Sequence, residues 1–312
     1  MKYYYGVDVG GTDIKVGLFS DDFDLIETFI VSTPKENQDE TVLRKIHDCI
    51  CENANKNQIH MIDVAGIGIA VPSPVKNGVA LLSANIAFRK NKDIKRELEI
   101  LFNEPIKIRV GNDASLAAYG EYKTLCSSHK NVCFYTLGTG IGGGIIIDGK
   151  LLEGSRGGAG ELGHMEVEEN YSVQCGCGKS GCLEQLSGTA GMIRYCKDLI
   201  KEKESSLREV SNLMPKDIFD AAKAGDEVGN MVVDRMTHYL AINAVNLATV
   251  LDPDIFIIGG GISKAGDFLI DRIREKYRQR ARFDTGDIPF ALAQLGNNAG
   301  IYGAAYLVSD KD

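Results

Sequence analysis

One histidine and three cysteines fall within nineteen positions of this 312-residue chain. Gly160-Glu161-Leu162-Gly163-His164 is followed by Cys175-Gly176-Cys177-Gly178-Lys179-Ser180-Gly181-Cys182-Leu183-Glu184. The ligand types and their number suit a closed tetrahedral Zn2+ site, with a cluster of unbound thiols as the alternative. Gly176, Gly178 and Gly181 favour the metal, because glycine lets the backbone turn tightly enough for several sulfurs to converge. Glu161 and Glu184 stand beside these ligands. A structural metal that organises carboxylates suggests a pocket for a polar ligand, whereas the ordinary fate of a glutamate is a solvated surface.

Glycine-rich turns supply a second chemistry. Tyr3 to Phe19 reads YYYGVDVGGTDIKVGLF, two apolar strand-like runs joined at Gly10-Gly11-Thr12-Asp13. Val132 to Asp148 reads VCFYTLGTGIGGGIIID and repeats the order strand, glycine turn, strand. A shift of 128 positions lays Gly10 on Gly138 and Val9 on Leu137. Gly138, Gly140 and Gly143 also satisfy the dinucleotide fingerprint, but that motif must open a helix, and Ile145-Ile146-Ile147 continues as strand. No GxxxxGK[ST] loop is present. Phosphate recognition would therefore use backbone N–H nests in hairpin turns. Each turn alone is equally an ordinary hairpin; two of them, beside Asp8 and Thr139, point to a nucleotide.

Elements that alternate between strand and helix must hold these segments. Helical spacing predicts helices over 39–57, 114–125, 187–203, 215–224, 227–251 and 298–308, the last rich in small residues that pack closely. Buried strands are predicted over 64–71, 106–110 and 254–258, the last opening onto Gly259-Gly260-Gly261, with Ser263 as cap of the next helix. The alternation implies an α/β fold. At this length two domains are the default, and the repeat sets their boundary near residue 115.

Composition narrows the classes further. A net charge of −8 gives no electrostatic footprint for nucleic acid, and no apolar run approaches membrane-spanning length. The chain opens into a strand-like run without a signal-peptide pattern, and its eight cysteines suit a reducing compartment. A soluble cytoplasmic protein is expected, with Cys49, Cys51, Cys126, Cys133 and Cys196 as packing thiols.

In their joint order, DVGGTDIK at 8–15, GND at 111–113, TLGTGIGGGI at 136–145, GELGH at 160–164, CGCGKSGCLE at 175–184 and IIGGGIS at 257–263 resemble the ROK family (repressor, open reading frame, kinase). The resemblance spans nearly the whole chain and is most like the family's bacterial glucokinases. It implies an actin-like (ribonuclease H-like) duplicated two-lobed ATPase fold, with ATP and sugar meeting in a cleft between lobes. Residues 1–115 plus 299–312 would form the small lobe and 116–298 the larger one. By the same resemblance Asp8 would hold Mg2+ through water, Gly10, Gly11 and Thr12 would offer N–H groups to the phosphates, and Gly138, Thr139 and Gly140 would cradle them from the other lobe. Gly259, Gly260 and Gly261 would admit adenosine. Asn85, Asn112, Asp113, Glu161, His164 and Glu184 would bind the sugar hydroxyls, and His164, Cys175, Cys177 and Cys182 the zinc.

Phosphoryl transfer needs alignment and charge neutralisation, and the sugar hydroxyl needs a base. Asp113 is the expected base given the ordered motifs; taken by itself it is more readily a helix N-cap. Lys15, on the strand after the first turn, is as readily solvent-facing as phosphate-binding. Two departures from the family bear on the sugar: Pro72-Ser73-Pro74, where glycine commonly follows the first proline, and Ser83-Ala84-Asn85, where proline often precedes the asparagine. Glucose is the expected substrate, with another hexose, N-acetylmannosamine or a β-glucoside as alternatives. A sugar-sensing regulator would carry a helix-turn-helix before the first turn, where only a few residues stand. A non-catalytic zinc and nucleotide binder is the remaining rival, and a homodimer or higher homo-oligomer is expected by analogy.

Overall fold

The computed structural model describes residues 1–83 and 86–309. By compactness the chain forms two units, one of residues 1–127, 150–160 and Asn297 onward, the other of residues 128–149 and 161–296.

The first unit is built on β1 (Tyr3–Val9), β2 (Asp13–Phe19), β3 (Leu25–Ser32), α1 (Gln38–Lys56), β4 (Val64–Val71), β5 (Val75–Lys76), β6 (Val79–Ala80), β7 (Lys92–Asp93), α2 (Ile94–Phe102), β8 (Lys107–Asn112) and α3 (Asp113–Glu121). Its sheet runs β3-β2-β1-β4-β8, antiparallel through β1, β2 and β3 and parallel through β1, β4 and β8. Val42, Ile46, Cys49 and Ile50 line one face of α1 at helical spacing and bury it, with Ile94 and Leu98 of α2, on Val7, Val16, Ile67 and Ile69.

The second unit contains β9 (Val132–Leu137), β10 (Ile141–Ile147), α4 (Leu183–Ser187), α5 (Thr189–Leu199), α6 (Pro215–Lys223), α7 (Glu227–Leu251), β12 (Ile255–Gly259), α8 (Asp267–Arg278) and β13 (Phe290–Leu292); β11 (Lys150–Leu151) lies in the 150–160 segment grouped with the first. The second sheet runs β11-β10-β9-β12-β13, with β9 antiparallel to β10 and parallel to β12. The strand order and directions around β9 thus reproduce those around β1, extending the short sequence repeat to a whole sheet. Val232, Met236, Leu240 and Ala244 of α7 bury the helix on Tyr135 and Phe256.

In the first unit, α9 (Ala299–Ser309) lies on the sheet face opposite α1. The expected close approach of this small-residue helix is present. A Cβ on Gly6 would sit 1.9 Å from the Ile301 carbonyl oxygen, and one on Gly68 1.8 Å from that of Ala304. Only glycine lets the helix reach the strands there.

Three local expectations change. The helix expected over 187–203 is broken at Gly188, whose extended backbone separates α4 from α5. The one expected over 114–125 begins at Asp113 and widens into a π-turn at Tyr122–Cys126. Ser263 does not cap α8: a 3₁₀ turn at Gly261–Ala265 intervenes, and the Ser263 hydroxyl donates to the Gly260 carbonyl at 2.8 Å. Of the expected packing thiols, Cys49, Cys126, Cys133 and Cys196 are buried, and Cys51 is half-buried with its Sγ 3.6 Å from His47 Nε2.

Candidate active site

In the first unit, Val9 pairs with Ile14, so the turn holds residues 10–13. Gly10 donates its N–H to the Asp13 carbonyl at 2.9 Å, closing the turn. The N–H groups of Gly11 and Thr12 have no partner among the described residues. Asp8, at the end of β1, lies against the start of α9, where a Cβ on Gly300 would come within 2.6 Å of its Oδ2. Burial pushes the Asp8 carboxyl up to about 6; the nearby Asp113 charge adds to this and Lys15 opposes it. A carboxylate short of compensating charge is a hard oxygen donor suited to Mg2+. Lys15 does not face solvent freely: its Nζ donates to the Asn297 carbonyl at 3.0 Å and to Asn298 Oδ1 at 2.5 Å, fixing the entry to α9.

Asn112 and Asp113 occupy the junction of β8 and α3. The N-cap is Asn112, whose Oδ1 accepts from the Ser115 N–H at 3.0 Å. Its Nδ2 donates to the Ser73 carbonyl at 3.3 Å and to Asp113 Oδ1 at 3.0 Å. Asp113 is therefore the first helical residue, relieved of capping, with its Oδ1 also accepting the Ala114 N–H at 2.8 Å. Ser73 is buried, and its hydroxyl donates to the Pro74 carbonyl at 2.9 Å while accepting the Leu82 N–H at 3.3 Å. Ser73 thus ties the strand end to the following loop. Asn85 lies outside the described residues. The loop beyond it is tied to α1, through Ala87 N–H to Gln38 Oε1 at 2.7 Å and Arg89 N–H to Asp39 Oδ1 at 2.8 Å.

In the second unit, Leu137 pairs with Ile141, so this turn holds residues 138–140, one fewer than the first. Gly138 donates to the Gly140 carbonyl at 3.0 Å. The N–H groups of Thr139 and Gly140 have no partner among the described residues. Glu184 reaches the turn from α4: its Oε2 accepts the Ile141 N–H at 3.0 Å and would be 2.1 Å from a Cβ on Gly140. Gly260, at φ +83, packs on the Leu137 backbone, whereas a Cβ on Gly261 would meet nothing within 4 Å. Of the three glycines at 259–261, Gly261 faces open space.

The ligand atoms of His164, Cys175, Cys177 and Cys182 all lie within 4.8 Å of one another. Cys175 Sγ is 3.5 Å from His164 Nδ1, and Cys177 Sγ is 3.6 Å from Cys182 Sγ. Zinc bond lengths imply ligand separations of about 3.5–3.8 Å in a tetrahedron, so these residues fit a structural Zn2+. Nδ1 faces the sulfurs, while Nε2 lies 3.9 Å from Glu161 Oε2. Burial and the facing sulfurs push the Cys182 thiol up to about 12, a cost that a divalent cation removes by holding the thiolate. Gly178 and Gly181 have the positive φ that the expected turns require; Gly176 does not.

Comparison with known proteins places these features in a family context. The ROK family profile matches residues 4–311. The glucokinase of Halalkalibacterium halodurans is 35% identical, the match covering 100% of this chain and 96% of that one. The glucokinase of Thermotoga maritima is 34% identical over 98% of this chain and 97% of its own. The crystal structure of a ROK family glucokinase from Streptomyces griseus in complex with glucose and AMPPNP aligns at a TM-score of 0.77, with 33% identity and 98% of each chain covered. The two α/β units with their five-stranded sheets are those of the actin-like ATPase fold. Among the described residues, no helix is long and apolar enough to cross a membrane.

Proposed function

The chain belongs to the ROK family as a sugar kinase, and from that premise we propose that it transfers the γ-phosphoryl group of ATP to the 6-hydroxyl of a hexose, glucose foremost. The observation that carries this reading is the pair of N–H groups without partners among the described residues in each glycine turn, Gly11 and Thr12 in one, Thr139 and Gly140 in the other. Such pairs suit the β- and γ-phosphates, whose charge must be neutralised as transfer proceeds. Gly10 and Gly138 serve by closing the turns. Asp8 would hold Mg2+ through water, and magnesium when bound neutralises phosphate charge. Gly261, the first residue of the 3₁₀ turn, would receive adenosine.

Asp113 acts as general base, taking the proton of the 6-hydroxyl as its oxygen attacks phosphorus. Capping by Asn112 supports this role, because it leaves Asp113 the carboxylate at the end of a strand, where ligands of α/β folds gather. Asn85, Asn112, Glu161, His164 and Glu184 orient the sugar. His164 would bind zinc through Nδ1, leaving Nε2 for Glu161 or a hydroxyl. In this division residues 1–115 with 299–312 carry the first turn, and 116–298 the second turn, the zinc site and the adenosine turn. We place the enzyme in the cytoplasm, where ATP is available and its thiols stay reduced.

The test is ADP release with Mg-ATP across glucose, mannose, fructose, allose, N-acetylglucosamine, N-acetylmannosamine and cellobiose. Turnover on glucose, absent without it, supports the proposal; turnover on another member reassigns the sugar; silence across the panel with zinc bound removes it.

A further inference from the structure

The two glycine turns share a feature that neither the motifs nor the repeat contains. Thr33, the residue after β3, donates its hydroxyl to the Gly10 carbonyl at 2.7 Å. Its own N–H donates to the Thr12 carbonyl at 2.8 Å. Thr189, the first residue of α5, donates its hydroxyl to the Gly138 carbonyl at 2.7 Å, and its N–H to the same oxygen at 3.1 Å. Gly10 and Gly138 are the positions that the 128-residue shift superimposes. The unpartnered N–H groups correspond under the same shift, Gly11 with Thr139 and Thr12 with Gly140.

The two threonines do not correspond under that shift, since one ends a strand and the other starts a helix. The same bond is therefore reached from two unrelated elements, at the same carbonyl and the same length. Inherited repetition does not account for this; a shared requirement of the turns does. A glycine-rich turn has little side-chain bulk to fix its peptide planes. A peptide flip would exchange an outward N–H for an outward carbonyl, turning an anion-binding nest into a repulsive one. A hydroxyl and an N–H anchored on each turn's carbonyls oppose that flip.

We propose that Thr33 and Thr189 are positioning residues for phosphoryl transfer, each bracing one glycine turn so that its two free N–H groups face the phosphate chain of the nucleotide. This rests on the kinase reading above. Neither threonine touches the reacting atoms in this scheme; each acts through the peptide it holds. Thr33 is 3% exposed, so its hydroxyl has no solvent role that would explain it otherwise.

The experiment compares Thr33→Val and Thr189→Val, which keep the branched shape and lose the donor, with Thr33→Ser and Thr189→Ser, which keep the donor. Calorimetry measures Mg-ATP binding, and steady-state kinetics measures KM for ATP and for the sugar. Each valine variant is expected to bind Mg-ATP about tenfold more weakly, with the sugar KM unchanged, and each serine variant to recover to within about threefold of wild type. Valine variants that bind Mg-ATP as wild type does would overturn the proposal, as would serine variants no better than valine. Wild-type protein that fails to bind Mg-ATP overturns the kinase reading instead. Should Thr33→Val not fold, the Thr189 pair, at the half-buried start of α5, carries the test.

Discussion

The two glycine turns share a strand order, a pair of N–H groups without partners among the described residues and a threonine brace, and they differ in what surrounds them. Beside the first turn stand ionisable side chains: Asp8 at the end of β1, with Asp113 raising and Lys15 lowering its affinity for a proton. Beside the second stands Glu184, two residues beyond Cys182 of the candidate zinc cluster, with its Oε2 on the Ile141 N–H and its Oε1 3.9 Å from Cys175 Sγ. One turn is thus tuned by charge, which pH can alter. The other is propped by a short helix, α4, that begins directly after a cysteine of the His–Cys cluster suited to zinc. The same backbone device can be supported by electrostatics or by a metal-fastened scaffold, and the two supports should fail under different conditions.

The largest effect expected lies on the charged side. Asp113→Asn should lower kcat by on the order of 10²–10⁴ without loss of fold. The amide retains an Oδ1 that can accept from Ala114 and Asn112, and capping by Asn112 is untouched. Steady-state kinetics with a thermal melt checks this; a well-folded variant of full activity would remove Asp113 from the mechanism.

On the metal side, Cys182→Ser or prolonged chelation should weaken both the fold around α4 and sugar binding, because structural zinc free energy is folding free energy. A loss of a few kcal/mol corresponds to a fall in melting temperature of on the order of 10 °C for a chain this size. Zinc content, melting temperature and sugar affinity should fall together. Chelated protein that kept full sugar affinity would separate the metal from the pocket and undo the contrast between the two supports.

The parts of this comparison visible in the sequence are those whose spacing is short. Cys175, Cys177 and Cys182 announce a metal because all three lie on one tight loop, and the glycines at 10–11 and 138–140 announce turns for the same reason. The braces and tethers were not legible. Thr33 reaches Gly10 across 23 positions, Thr189 reaches Gly138 across 51, and Lys15 reaches Asn297 across 282. A lone hydroxyl or ammonium carries no periodic pattern, and its partner is fixed only once strands and helices have packed. The broken helix at Gly188 has the same origin: apolar spacing continues through it, while the tertiary bond from Thr189 to Gly138 requires the chain to restart there. Asp113 was misassignable for a local reason, since Asn112 and Asp113 are both good caps and only the structure shows that the first of them does the capping.

The pH-dependent effects are the most diagnostic of the charged support. Asp8 has an unfolded value near 3.8 and a folded value of about 6. Below the first value both folded and unfolded chains hold the proton, and burial of Asp8 costs least. Between the two values the folded chain keeps a proton that the unfolded chain has released, so stability falls as pH rises through that window, by up to about 3 kcal/mol. If Asp8 holds magnesium as proposed, phosphoryl transfer needs the carboxylate, and activity should rise through the same window as stability declines. Asp8→Asn should therefore be inactive yet more stable than wild type at pH 7 to 8, measured by denaturant melts of nucleotide-free protein. Lys15→Met, which removes the one cation acting on Asp8 in this set, should move the midpoint of the stability change upward by less than about one unit. A stability difference between wild type and Asp8→Asn that stays flat between pH 4 and 7 would mean that burial does not raise the Asp8 carboxyl. The first turn would then need some other support, and the contrast with the zinc-propped turn would be one of shape alone.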